Sequence, residues 1–194
     1  MEITVVRLFH FFTVLRFKRG RRKTLHSIII LEEEEEPFQK PSKVFFKMAK
    51  RLKTEALDLA QNPLEWGSAE PVGGDLFKWT ATVLGPETSP YKNGVFTLAI
   101  AVPTEYPFRA PEVTFQTKVY HPNVKTDSGQ ICADILKEQW KPTLSIRWVL
   151  EVVRTMLETP SFDSPLQPEI AAQLKDDPKL FQKTAAEWTK KYAS

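Results

Sequence analysis

The sequence predicts an α+β domain preceded by a low-complexity extension. Three observations carry this: a helical run of apolar residues from Met48, a block of alternating residues cut by Gly and Pro, and a return to helical spacing after residue 145. In the first run, Met48, Leu52, Ala56, Leu59 and Ala60 recur at helical intervals and Pro63 stops it, which predicts an amphipathic helix from Met48 to Asn62 with Lys50, Arg51 and Lys53 on or near its wet side. Phe77, Trp79, Ala81 and Val83 then alternate with Lys78, Thr80 and Thr82, a strand ended by Gly85-Pro86. Val95 to Val102, after Asn93-Gly94, is a second strand and Val113-Thr114-Phe115 a short third, so the block reads as an antiparallel meander.

Later, Ile146, Val149, Leu150, Val153 and Leu157 form one helix face behind a Thr143 or Ser145 cap, and Pro160 closes that helix. Pro168 and Glu169 open another. Asp177-Pro178 supplies an N-cap with Pro at the first helical position for a last helix, whose predicted buried face is Phe181, Ala185, Trp188 and Tyr192. The stretch 116–145 has little periodicity and holds Cys132, and long irregular loops inside compact domains tend to carry function.

Composition narrows the classes. The chain has 194 residues, and one Cys forbids an intrachain disulfide. With His10, His26 and His121 as the other soft ligands, no Cys/His zinc cage of ordinary spacing can be written. No apolar run approaches the ~20 residues that span a bilayer. The net charge of +3 is uneven: residues 1–47 hold ten Lys/Arg against six Glu, and residues 48–194 hold seventeen basic against eighteen acidic side chains. Reading the whole protein as a nucleic-acid binder would therefore be an error of averaging.

Residues 1–47 contain an apolar stretch from Ile3 to Leu15, a basic cluster from Arg16 to Lys23 and five glutamates from Glu32 to Glu36. A secretory signal has the reverse order of charge and apolar run. A mitochondrial presequence and a partner-binding tail are alternatives to the expected reading, a disordered low-complexity or gene-model extension before a domain at 48–194. Gly20-Arg21-Arg22-Lys23-Thr24 lacks the Gly directly before Lys that a phosphate-binding loop needs, and no nucleotide site is visible.

A Cys with Asn123 and Asp134 nearby suggests acyl transfer through a thioester, which needs a nucleophilic sulfur, an oxyanion donor and a group that manages the incoming proton. The alternative is a buried Cys that packs as a small hydrophobe. Tyr106-Pro107-Phe108, Pro111, Tyr120-His121-Pro122-Asn123, Gly129, Ile131-Cys132, Asp134-Ile135-Leu136, Trp140 and Pro142, then Asp163 and Pro165-Leu166, stand in an order that closely resembles the ubiquitin-conjugating enzyme family. The match runs from about Met48 to Ser194, and the ending Glu187-Trp188-Thr189-Lys190-Lys191-Tyr192-Ala193 is similar to its general-purpose, minimal-domain group.

The resemblance implies that family's fold, an N-terminal helix, a four-stranded antiparallel meander, an active-site loop and C-terminal helices. It also implies that Cys132 accepts ubiquitin as a thioester from an activating enzyme, which consumes the ATP, so no bound cofactor is expected. Asn123 is then the oxyanion or loop-bracing residue, Asp134 the acid that orients or deprotonates the acceptor lysine, and His121 structural. Ser164 stands at a gate position where Asp is frequent, and its phosphorylation would restore a charge. Lys50, Arg51, Phe108, Pro142 and Thr143 match the ligase-binding surface. The implied partners are ubiquitin, the activating enzyme, RING- or HECT-type ligases and substrate proteins, in cytoplasm and nucleus, without nucleic acid or a membrane span.

Departures from the group are Thr143 for Ala, Glu151 for a small apolar residue, and one extra residue between Asn123 and Cys132, which puts the pose of Asn123 in question. Ser68 matches an optional second ubiquitin site. A conjugating enzyme for another ubiquitin-like modifier and a non-catalytic adaptor are the alternatives; retention of Cys132, Asn123 and Asp134 argues against the adaptor.

Overall fold

A computed structural model of the chain describes residues 6–8, 11–15, 31–33, 43–162 and 165–194. The chain divides into two compact units, Met1–Pro41 and Ser42–Ser194. In the first, three short strands, β1 (Val6–Leu8), β2 (Phe11–Leu15) and β3 (Leu31–Glu33), pair antiparallel in that order, with Val6 opposite Thr13 and Leu15 opposite Leu31. The basic cluster, His10, His26, Asp163 and Ser164 lie outside the described residues.

The second unit is the expected α+β domain. Helix α1 (Lys43–Gln61) is followed by a four-stranded antiparallel meander, β4 (Gly67–Val72), β5 (Asp75–Leu84), β6 (Val95–Ala101) and β7 (Glu112–Phe115), paired in chain order. Then come the short α2 (Ala133–Lys137), α3 (Ile146–Glu158), α4 (Pro168–Asp176) and α5 (Pro178–Tyr192). Trp79, Ala81 and Val83 from β5, Phe96, Leu98 and Ile100 from β6, and Val113 and Phe115 from β7 turn inward. The central α3 meets them with Ile146, Val149, Leu150, Val153 and Leu157, the five positions that the 3.6-residue period selects, all buried.

Four details differ from the sequence expectation. Helix α1 begins five residues before Met48, at Lys43, and its added turn stacks the Phe45 ring on Phe77 of β5 with centroids 5.6 Å apart. The first strand of the meander, Gly67-Ser-Ala-Glu-Pro-Val72, has too few large apolar residues to show a period; it is an edge strand, where Pro71 is tolerated, and its register shifts after Pro71. Ser145 does sit at the N-cap of α3, but its side chain makes no capping bond, and Glu55 of α1 takes the Ile146 N–H instead at 2.9 Å. In α5, Trp188 and Tyr192 are half-buried, while Thr189 occupies the core with its hydroxyl donating to the Ala185 carbonyl at 2.8 Å. The Asp177 cap does form, accepting from Leu180 N–H at 3.0 Å.

Among the described residues no helix is long and apolar enough to cross a membrane, and no group of His, Cys, Asp and Glu is suited to hold a metal ion.

Candidate active site

Cys132 is placed by a hairpin closed on itself and laid against the sheet. Val124 bridges Ile131, the Lys125 N–H donates to Gln130 O at 2.9 Å, and Thr114 of β7 bridges Gln130. Gly129 makes the turn possible: its φ is 71°, and a Cβ there would lie 1.9 Å from the Phe115 carbonyl oxygen. Its own carbonyl accepts the Phe115 N–H at 2.8 Å. The hairpin brings its two ends together, with the Cys132 N–H donating to Asn123 O at 3.0 Å. Helix α2 starts at the next residue, so Asp134 stands at its second position, two residues beyond the sulfur.

The His121-Pro122-Asn123 turn is braced on three sides. His121 is fully buried; its Nδ1 accepts the Asn123 N–H at 3.0 Å, and its Nε2 donates to Met156 O on α3 at 2.9 Å, since only the Nε2–H tautomer serves both partners. Burial lowers the imidazole pKa to about 4, against a smaller opposing effect of the Met156 hydrogen bond. This ring is neutral and has no free nitrogen, so it braces the turn and does not serve as a base for water. Asn123 is also fully buried, and its Oδ1 accepts from Ser161 N–H at 3.3 Å. Pro122 O accepts from both Leu166 N–H at 2.9 Å and Gln167 N–H at 3.0 Å. Ser161, Leu166 and Gln167 are thus all tied to the turn that holds Cys132.

Cys132 is 5% exposed and lines two grooves. One, of about 510 Å³, has Ile135, Trp148, Glu151, Val152 and Ser161 in its walls. The other, of about 380 Å³, is bounded by Arg109, Thr114, Ser128, Leu136 and Lys137. A thiol at the junction of two grooves can hold an acyl group from one side while a nucleophile approaches it from the other.

The residues matched to ligase binding meet at a different corner of the domain. Phe108, on the loop between β6 and β7, is 76% exposed. Lys50 is exposed on α1, and Pro142 and Thr143 lie exposed just ahead of α3. Arg51 is half-buried and committed inward, donating to the carbonyls of Pro142 and Leu144 and pairing with Glu55 at 2.8 Å. Glu55 also accepts from Tyr106 O–H at 2.6 Å, and Trp140 Nε1–H donates to Pro107 O at 2.7 Å. Glu55 therefore ties α1, the Phe108 loop and α3 together. Residue-by-residue reading missed it; the signal was an acid one helical turn after Arg51 on a basic helix.

Ser68 of β4 is exposed on the outer side of the sheet, opposite Thr82, and Glu151 is exposed at the groove wall on α3.

Comparison with known proteins agrees with this geometry. The family model described as "Ubiquitin-conjugating enzyme" matches residues 51–189. A Dictyostelium discoideum protein, ubiquitin conjugating enzyme E2 B, is 50% identical over 144 residues, covering 74% of this chain and 97% of that protein. The solved E2 domain of a Toxoplasma gondii ubiquitin conjugating enzyme superposes with a TM-score of 0.69 at 39% identity, covering 75% of this chain and 98% of that one. A Plasmodium yoelii protein solved as a candidate ubiquitin conjugating enzyme gives 0.72 at 37% identity, covering 80% and 99%.

Proposed function

The chain belongs to the ubiquitin-conjugating enzyme family, a family of transferases, and we propose that it takes ubiquitin from the activating enzyme as a thioester on Cys132 and passes it to substrate lysines. The observation that carries the reading is the single cysteine held by the Asn123 carbonyl where two grooves meet. In the transfer, the lysine Nε attacks the thioester carbonyl carbon, the C–N bond forms as the C–S bond breaks, Sγ leaves as thiolate, and one amine proton is given up. Asn123 steadies the oxyanion formed on the way, and losing one such donor typically costs ~10²–10³ in rate.

The acceptor must first lose its charge. At an ordinary lysine pKa of ~10.4, about one molecule in a thousand is neutral near pH 7.4. Asp134 directs and deprotonates it, and Ser164 is the gate the lysine passes. The ligase, of RING or HECT type, docks on Lys50, Phe108, Pro142 and Thr143, with Arg51 holding that corner in shape. ATP is consumed by the activating enzyme and no cofactor is bound. The setting is cytoplasm and nucleus.

The test is direct. Incubated with activating enzyme, ATP and ubiquitin, the protein should gain the mass of ubiquitin in a form that reductant removes. No adduct with the wild type, or an unchanged one in Cys132→Ala, sinks the reading.

A further inference from the structure

We propose that Lys137 is an acceptor for the protein's own thioester: left without a substrate, the loaded protein transfers its cargo in cis from Cys132 to the Lys137 side chain. The inference rests on the thioester reading above and adds a modification site to it.

The proposed reaction consumes a lysine that can reach the thioester carbonyl, and the chain supplies one beside the sulfur. Of the two grooves that meet at Cys132, the first has no lysine in its walls and the second has Lys137. Lys125 lines a different groove, beside residues 115–119, and Lys141 lines neither groove at the thiol. Lys137 closes α2, the helix that starts at the residue after Cys132. This short segment is held along its length: Cys132 O accepts Ile135 N–H at 3.3 Å, Leu136 is buried in the core, and Lys137 O accepts Trp140 N–H at 3.3 Å. Five residues at helical rise advance about 7.5 Å. A flexible four-carbon stem can fold back across such a distance along the groove wall.

The charges of the second groove leave this amine available. Its other cation, Arg109, is paired with Glu112 at 3.0 Å. The Lys137 side chain is exposed, and among the described residues no hydrogen bond or ion pair engages its ammonium. An exposed lysine is ordinarily a solvated surface group; sharing a groove with the thiol sets this one apart. A nucleophile tethered beside the reacting carbon acts at an effective concentration well above that of a dilute acceptor. The neutral Nε attacks the thioester carbonyl carbon, the C–N bond forms as the C–S bond breaks, Sγ leaves as thiolate, and one amine proton passes to solvent. The product is an isopeptide that reductant does not cleave, with the Cys132 thiol free again.

The experiment uses the full chain, loaded with ubiquitin by activating enzyme and ATP and checked for thioester on a non-reducing gel. ATP is then removed and the loaded protein is left without any acceptor. A reductant-resistant adduct of one added ubiquitin should grow as the thioester is lost, with a half-time that is the same across a tenfold dilution. Peptide mapping of the wild-type adduct should place the linkage on Lys137. Lys137→Arg, which keeps the charge, should slow the adduct by about 10-fold or more, while Lys141→Arg forms it as the wild type does. Lys137→Gln gives the same reading should the Arg variant load poorly. An adduct that forms at an unchanged rate without Lys137, a half-time that lengthens on dilution, a linkage mapped elsewhere, or a thioester that decays with no resistant adduct each overturns the proposal. Failure of the wild type to load overturns the thioester reading, and this inference with it.

Discussion

Replacing Glu55 with Ala removes the acceptor for three donors: Tyr106 O–H at 2.6 Å, Ile146 N–H at 2.9 Å and Arg51 Nε–H at 2.8 Å. Arg51 keeps two backbone carbonyls and is 30% exposed, so its lost ion pair contributes little. Among the described residues the Ile146 N–H has no other acceptor, and the Tyr106 hydroxyl keeps the Arg51 side chain as a donor to it but loses the acceptor for its own O–H; an unsatisfied buried donor costs about 1–3 kcal/mol. The expected loss is about 3 kcal/mol, or a fall of about 6–12 °C in Tm for a domain of this size. Urea unfolding followed by tryptophan fluorescence measures it as a drop in midpoint at unchanged slope. Glu55→Gln keeps one acceptor oxygen and should lose about half as much. Because the same carboxylate joins the Phe108 loop to the start of α3, ligase-stimulated discharge should fall more in Glu55→Ala than unstimulated discharge. A loss below about 1 kcal/mol would refute the view that Glu55 holds this corner together.

Three further outcomes follow from the site. His121 is neutral in the fold with its pKa lowered to about 4 from an ordinary 6.5, so between those values the unfolded chain binds the extra proton. Stability attributable to this residue is complete above pH 6.5 and falls by about 3 kcal/mol as the pH drops to 4; urea midpoints measured across that window should lose this component of the slope in His121→Gln. Asn123→Asp keeps an oxygen for Ser161 N–H but no amide donor, and single-turnover discharge to lysine should fall ~10²–10³-fold while loading is largely retained. If loading and discharge fall together, Asn123 is a brace alone. Ser164→Asp, which supplies the charge that phosphorylation would add, should speed lysine discharge by roughly 10-fold, a fraction of what a positioned acid or base can give; an unchanged rate removes the gate role.

The legible parts of the fold were those with a local signature. Helix α3 declared itself through five apolar positions at helical spacing, and α5 through Asp177-Pro178, whose cap forms as expected. Strand β4 did not, because Gly67, Ser68, Ala69 and Pro71 leave no alternation to detect, and the resemblance supplied that strand. The first turn of α1 falls among residues whose sequence predicts extension, since the reason for its helical state lies in another element: Phe45 has Phe77 to stack on. At the site, Cys132 and Asn123 were legible as landmarks. The corner built on Glu55 was not, for its bond to Ile146 spans 91 residues and leaves no periodic trace. Arg51 shows the cost of reading a residue without its partners, since a basic helix residue expected to face a ligase spends its donors on Pro142, Leu144 and Glu55.

The treatment of His121 bears on why the proposed intermediate should last. A thioester on Cys132 has to resist water for as long as it waits for an acceptor, and an imidazole with a free nitrogen beside the sulfur would activate water as a general base. Here the one described histidine is fully buried, with Nε2 donating to Met156 O and Nδ1 receiving Asn123 N–H. Its burial shifts the pKa away from neutrality, so at pH 7 it offers neither charge nor a base. The ring nitrogens hold Asn123 in position instead, and through the Asn123 carbonyl they help fix Cys132. In the proposed reaction, selectivity for amines over water is then left to what the acceptor brings: a lysine on a polypeptide can be held by many contacts, where a water molecule makes too few to be oriented.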